Sequence, residues 1–100
     1  MNRTHFIDGR EAPAADGRTL PVIDPSTGQT FGSIARGGAA DIDRAIVAAR
    51  RAFDGAWGRM TATERGRILQ RLSTAILDRS EALAALESRD TGKPIGQARN

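Results

Sequence analysis

Four kinds of side chain in this sequence are equipped to react or to recognise. Lys93 is the single lysine among 100 residues, and an amine without its proton attacks carbonyl carbon. It directly follows Gly92 at what reads as a helix end, where a cation is drawn to the exposed carbonyls, and that is the expectation here. His5 is the single imidazole, the side chain best suited to moving protons near neutral pH. The sequence sets no acid or nucleophile beside it, so it is expected to be a solvated residue of an edge strand. Glu87 and Asp90 lie one helical turn apart, and paired carboxylates are what general acid–base chemistry uses. A solvated helix face with Arg89 nearby explains them more simply. Trp57, set between Gly55 and Gly58, can stack on a ligand, but an indole in that setting is expected to fill a gap between helices. With no cysteine, these residues hold no thiol nucleophile, thiolate metal site or disulfide framework. No catalytic residue is assigned within the chain.

The elements that would position these groups divide into strands and then helices. His5-Phe6-Ile7 and Arg10-Glu11 flank Asp8-Gly9, the dipeptide that best tolerates the two positive φ angles of a type I′ hairpin turn. Ala12 to Thr19, with Pro13 and Asp16-Gly17, has turn composition and no periodicity, as expected of an exposed connection. Leu20–Asp24 and Gln29–Ile34 flank Pro25-Ser26-Thr27-Gly28, which predicts a second hairpin. The hairpin region therefore spans residues 5–36.

After Gly37-Gly38 the period changes, and helices are expected over residues 41–92. Ile42, Ala45, Ile46, Ala49 and Phe53 share one side of a helix from about Asp41 to Phe53. Asp41 and Asp43 at its start and Arg50 and Arg51 at its end complement the helix dipole. Thr61-Ala62-Thr63-Glu64 has the capping-box spacing, and a helix from there to about Arg79 carries Ile68, Leu69, Leu72, Ile76 and Leu77. Ser80 is expected to cap a third helix, with Leu83 and Leu86, that Gly92 and Pro94 end. The chain stops at Asn100 without a closing element, as expected of a piece of a longer protein.

Large apolar side chains are scarce, while alanine supplies 17 of 100 residues. Burial yields about 25 cal/mol per Å² of apolar surface, so alanine-rich helices gain little from it and the chain builds only a thin core by itself. A longer parent chain or a partner is expected to cover its apolar faces. The net charge of +3 comes from fourteen arginines and one lysine with acidic residues interspersed, a mixed solvated surface rather than a nucleic-acid footprint. No apolar run reaches the length of a membrane span and no secretory h-region follows Met1, so a soluble cytoplasmic protein is expected. No Gly-x-Gly-x-x-Gly follows a strand and opens a helix, so no cofactor-binding residue is assigned.

Six strings follow one another in register from about His5 to Ala98. They are Phe6-Ile7-Asp8-Gly9-Arg10-Glu11, Val22-Ile23-Asp24-Pro25-Ser26-Thr27-Gly28, Asp41-Ile42-Asp43-Arg44-Ala45-Ile46, Ala52-Phe53 with Trp57, Glu64-Arg65, and Leu86-Glu87 before Asp90-Thr91-Gly92-Lys93-Pro94. Their order and spacing resemble the N-terminal portion of an NAD(P)-dependent aldehyde dehydrogenase. Any one alone is weak, since Asp-Pro-Ser-Thr-Gly is merely a good turn.

The resemblance implies an α/β fold in which residues 1–100 form an incomplete N-terminal segment of the dinucleotide-binding domain. It also implies a homo-oligomeric parent that oxidises an aldehyde to a carboxylic acid with NAD or NADP. There, a cysteine attacks the aldehyde and a glutamate activates water, and both lie downstream of these motifs, as do the cofactor-binding segments. Some relatives bind a monovalent cation partly through main-chain carbonyls at the position of Val22 and Ile23. The segment alone is expected to be an inactive scaffold. The rival reading is a free-standing α+β protein-interaction module. A basic nucleic-acid binder is disfavoured by the interspersed acids and by the lack of aromatics on a strand face.

Overall fold

The computed structural model describes residues 1–100 and is mixed α/β. Its strands are β1 (Asn2–Arg3), β2 (His5–Ile7), β3 (Arg10–Ala12), β4 (Thr19–Ile23) and β5 (Thr30–Ala35). Helices α1 (Ala39–Asp54), α2 (Ala56–Arg59), α3 (Ala62–Leu77), α4 (Ser80–Thr91) and α5 (Ile95–Ala98) follow. The chain separates into two compact units, one of Met1–Val22 with Thr30–Arg59 and one of Ile23–Gln29 with Met60–Asn100.

In the first unit, β2 and β3 pair antiparallel with Phe6 opposite Glu11. Asp8 and Gly9 turn the chain at φ 56° and 74°, the positive pair that the type I′ turn requires. Strands β4 and β5 form the second hairpin. Arg36 N–H donates to the Arg18 carbonyl at one end, and Asp24 N–H donates to the Gln29 carbonyl at the other. Nothing in the residue pattern signals β1, which adds parallel to β5 with Asn2 beside Ser33 and Arg3 beside Ile34.

Helix α1 begins two residues earlier than expected. It turns Ala45 and Ala48 inward, half-buried, and leaves Ile42, Ile46 and Phe53 exposed. Of the apolar stripe predicted for α1, the large members therefore face outward within this unit and Ala45 faces inward. The connection after α1, expected as a loop, contains α2. There a Cβ on Gly58 would meet the Phe53 carbonyl oxygen at 1.7 Å, and one on Gly55 would meet that of Arg51 at 2.8 Å. Trp57 between them is 39% exposed.

In the second unit, Thr61 caps α3 as predicted. Its Oγ1 accepts the Glu64 N–H at 3.2 Å, while Glu64 Oε2 accepts the Thr61 N–H at 2.7 Å and the Thr61 hydroxyl at 3.1 Å. Ser80 does not cap α4: it is the first helical residue, and the preceding Arg79 makes no side-chain cap bond. Gly92 ends α4 at φ 74°, its N–H donating to the Ser88 carbonyl, the left-handed C-terminal stop. The Asp24–Gln29 turn lies against that end, where Arg89 Nε stands 3.5 Å from Asp24 Oδ2 and a Cβ on Gly92 would meet Pro25 Cγ at 3.2 Å. A short helix, α5, then follows Pro94.

The buried residues are Ala14, Ala84 and Asp41, and no large side chain is fully buried. Seventeen large apolar side chains are exposed, which matches the thin core expected from composition.

Candidate functional site

Asp41 is the one buried charged residue, 3% exposed, in the first turn of α1. It sits three residues after Gly38, so its Oδ2 accepts the Gly38 N–H at 3.0 Å, a donor left free at the helix start. This is half of a capping box, because glycine has no side chain to return the bond. Oδ1 accepts the Ala15 N–H at 3.0 Å, tying the connection after the first hairpin to the helix, and Arg44 Nη2 at 2.6 Å, one turn further along α1. Arg44 also approaches the Pro13 carbonyl at 3.5 Å.

These donors hold the Asp41 carboxyl at a pKa of about 2. The Gly38 N–H contributes most, then the Arg44 guanidinium, with smaller contributions from Ala15 and His5, and burial opposes them. A carboxylate this acidic, with both oxygens occupied by donors, is a poor general base at neutral pH. Its role is to join three chain segments.

His5 differs from its sequence expectation. The imidazole faces Asp41, with Nε2 at 3.8 Å from Oδ2 and the side chain only 22% exposed. Nε2 is buried without a hydrogen-bond partner. Nothing local in the sequence signals this pairing, because Asp41 belongs to a helix far along the chain.

Of the remaining candidates only Lys93 and Glu87 are brought together. Lys93 pairs with Glu87 rather than with bare helix carbonyls, although its own carbonyl accepts the Ser88 hydroxyl at 2.7 Å. Arg89, expected beside Glu87 and Asp90, extends to Asp24. No group of three or more His, Cys, Asp or Glu side chains is arranged to hold a metal. Val22, half-buried, and Ile23, 52% exposed, are the last two residues of β4. Two carbonyls fall well short of the roughly six oxygens a hard cation collects. The neighbouring Asp24 carboxylate is already engaged by the Ser26 N–H at 2.8 Å and by Arg89.

An open groove of about 470 Å³ runs between the first hairpin and α1. Ile7, Val47, Asp8, Arg10 and Arg51 are among the residues that line it. Asp8 and Arg51 face each other at 3.4 Å. No helix is long and apolar enough to cross a membrane.

A family model described as the aldehyde dehydrogenase family matches residues 12–100. The mitochondrial aldehyde dehydrogenase family 2 member B4 of Arabidopsis thaliana is 46% identical over 94 residues, 93% of this chain and 18% of its own length. The solved NAD-dependent aldehyde dehydrogenase of Sinorhizobium meliloti superposes with a TM-score of 0.95 at 40% identity, covering 99% of this chain and 20% of its own. PnpE, solved in complex with nicotinamide adenine dinucleotide, superposes with a TM-score of 0.95 at 45% identity, covering 100% and 20%. The chain thus spans about a fifth of the length of the proteins it matches.

Proposed function

The chain belongs to the aldehyde dehydrogenase family, and from that premise we propose that it is the N-terminal scaffold of an oxidoreductase that converts an aldehyde to a carboxylic acid with NAD or NADP. The observation that carries the scaffold role is the chemistry of these residues. There is no cysteine, and the one buried carboxylate is committed to four neighbours. In this reading the thiol nucleophile, the general base and the cofactor-binding groups come from outside the 100 residues. NAD is the cofactor named for two of the matched structures, and NADP is the alternative. Val22 and Ile23 offer two main-chain oxygens to a monovalent cation whose other ligands lie elsewhere. The working enzyme is a cytoplasmic homo-oligomer.

The test is direct. The purified chain, incubated with NAD or NADP and a panel of aldehydes, forms no NADH or NADPH. Steady formation that persists after contaminating enzymes are removed overturns the scaffold reading. The seventeen exposed apolar side chains favour a second reading, a free-standing α+β module that binds a partner. A sharp two-state melt of a monodisperse chain would support that second reading.

A further inference from the structure

We propose that Asp8 is a site of spontaneous covalent modification, where the main chain cyclises to a succinimide and reopens as isoaspartate. Three Asp-Gly steps occur in the chain, at residues 8–9, 16–17 and 54–55. Each sets a carboxyl beside an amide nitrogen that no following Cβ shields, so the dipeptide by itself ranks the three equally. In the reaction the glycine nitrogen attacks Cγ of the protonated aspartic acid. A Cγ–N bond forms, a Cγ–O bond breaks, and the carboxyl OH leaves with the amide proton as water. Water then adds back to the ring. Opening at Cγ restores aspartate, and opening at the main-chain carbonyl leaves the backbone running through Cγ.

The hydrogen bonds separate the three steps. Gly17 N–H donates to the Ala14 carbonyl at 2.9 Å. Both Asp16 oxygens are also taken by Arg18, Oδ1 accepting its main-chain N–H at 2.9 Å and Oδ2 its Nε at 2.7 Å. The Arg18 N–H first and its guanidinium second hold the Asp16 carboxyl below its ordinary range, which opposes the protonation that the reaction needs. Gly55 N–H donates to the Ala52 carbonyl at 3.3 Å, and the Arg51 carbonyl oxygen crowds it from 2.8 Å of a Cβ position.

Gly9 is held by none of these. Its N–H donates to no acceptor, and nothing stands within 4 Å of a Cβ built on it. The Asp8 side chain is 51% exposed, and its tie is a 3.4 Å contact with Arg51. Asp8 also sits at φ 56°, a conformation that disfavours any residue with a Cβ, so the turn gives up little when it flexes to bring the Gly9 nitrogen to Cγ. Isoaspartate adds a methylene to the main chain inside this two-residue turn. The pair of positive φ angles that sets Phe6 opposite Glu11 is thereby broken.

The experiment is timed incubation of the complete parent protein in water enriched in heavy oxygen, once native and once in strong guanidinium chloride. Ring opening leaves a heavy oxygen at the residue that reacted. Trypsin, added in ordinary water, then cuts after arginine and puts the three steps in separate peptides, Thr4–Arg10, Glu11–Arg18 and Ala52–Arg59. Dividing each native labelling rate by its denatured rate removes the effect of neighbouring sequence. The ratio for Asp8 should exceed those for Asp16 and Asp54 by roughly two- to tenfold, the weight of one hydrogen bond that must open first. Fragmentation of the labelled Thr4–Arg10 peptide should reveal an isoaspartyl linkage. Asp8→Glu, whose longer side chain closes a ring far more slowly, should lose the label from that peptide alone. Three equal ratios, a larger ratio at Asp16 or Asp54, an unlabelled Thr4–Arg10 peptide from the native protein, or label that persists in Asp8→Glu each overturns the assignment.

Discussion

Removing the Thr61 hydroxyl takes away two of the three hydrogen bonds that close the start of α3 and leaves the third. Thr61→Ala deletes the bond accepted from the Glu64 N–H and the one donated to Glu64 Oε2. The bond from the Thr61 N–H to the same carboxylate is main-chain in origin and survives. Loss of an N-cap side chain costs about 0.5–2 kcal/mol. The cap bond is long at 3.2 Å and exposed, so a cost in the lower half of that range, about 0.5–1 kcal/mol, is expected.

The Glu64 carboxyl gives a second and sharper reading of the same change. It is held below the usual glutamate range chiefly by the Thr61 backbone N–H and secondarily by the Thr61 side chain. Thr61→Ala should therefore raise it only part of the way back, while Thr61→Ser should leave it where it is. Because the folded value is depressed, the contribution to stability is present above the unfolded value of about 4.3. It is lost as pH falls through the folded value. Carboxyl carbon NMR titration of Glu64, with exchange of the first-turn amides of α3, measures both effects. A full return to an unbonded glutamate in Thr61→Ala would mean that the backbone bond is absent. No movement at all would mean that the hydroxyl never reached the carboxylate.

Other outcomes follow from the same geometry. The depressed Asp41 carboxyl stabilises the first unit above its unfolded value of about 3.9, and that support is lost as pH falls toward about 2. The Ala15 and Gly38 amide shifts should move together in this acid window and stay still in Asp41→Asn; independent movement counts against a shared carboxylate. Gly66, inside α3 with nothing within 4 Å of a Cβ, should gain about 0.5–1 kcal/mol as Gly66→Ala. Gly92→Ala, at φ 74° and 3.2 Å from Pro25, should lose at least the ~1–2 kcal/mol of a left-handed alanine, and unfolding of the complete parent protein giving both variants the same sign would refute the pair. Phe53 and Leu77, 65% and 70% exposed, should let the isolated chain bind an apolar dye and melt in urea with little cooperativity. A sharp transition without dye binding would contradict that.

The features legible in the sequence are those encoded within a few residues. Asp8-Gly9 announces its turn because few other residues accept two positive φ angles, and Thr61 and Glu64 announce a helix start because the spacing closes two bonds. Gly92 announces a stop in the same way. What could not be read depends on distant segments. The parallel pairing of Asn2–Arg3 with Ser33–Ile34 leaves no trace in either string. His5 reads as solvated because its neighbour Asp41 arrives from another element. For α1, periodicity grouped Ile42, Ala45, Ile46, Ala49 and Phe53 on one side but could not say which face this unit buries, and Ala45 and Ala48 took that place. The six-string pattern identified the family without reference to any of these contacts, since order and spacing survive where packing cannot be inferred.

The two glycines around Trp57 have a consequence for how this stretch can change over generations. A methyl group at Gly58 would occupy nearly the same space as the Phe53 carbonyl oxygen, and one at Gly55 would crowd that of Arg51. Neither residue has a positive φ, so the obstacle is volume rather than backbone preference, and no alternative rotamer of a new side chain relieves it. Random mutation of the gene should therefore find position 58 closed to every replacement and position 55 open only where the Arg51 carbonyl can shift.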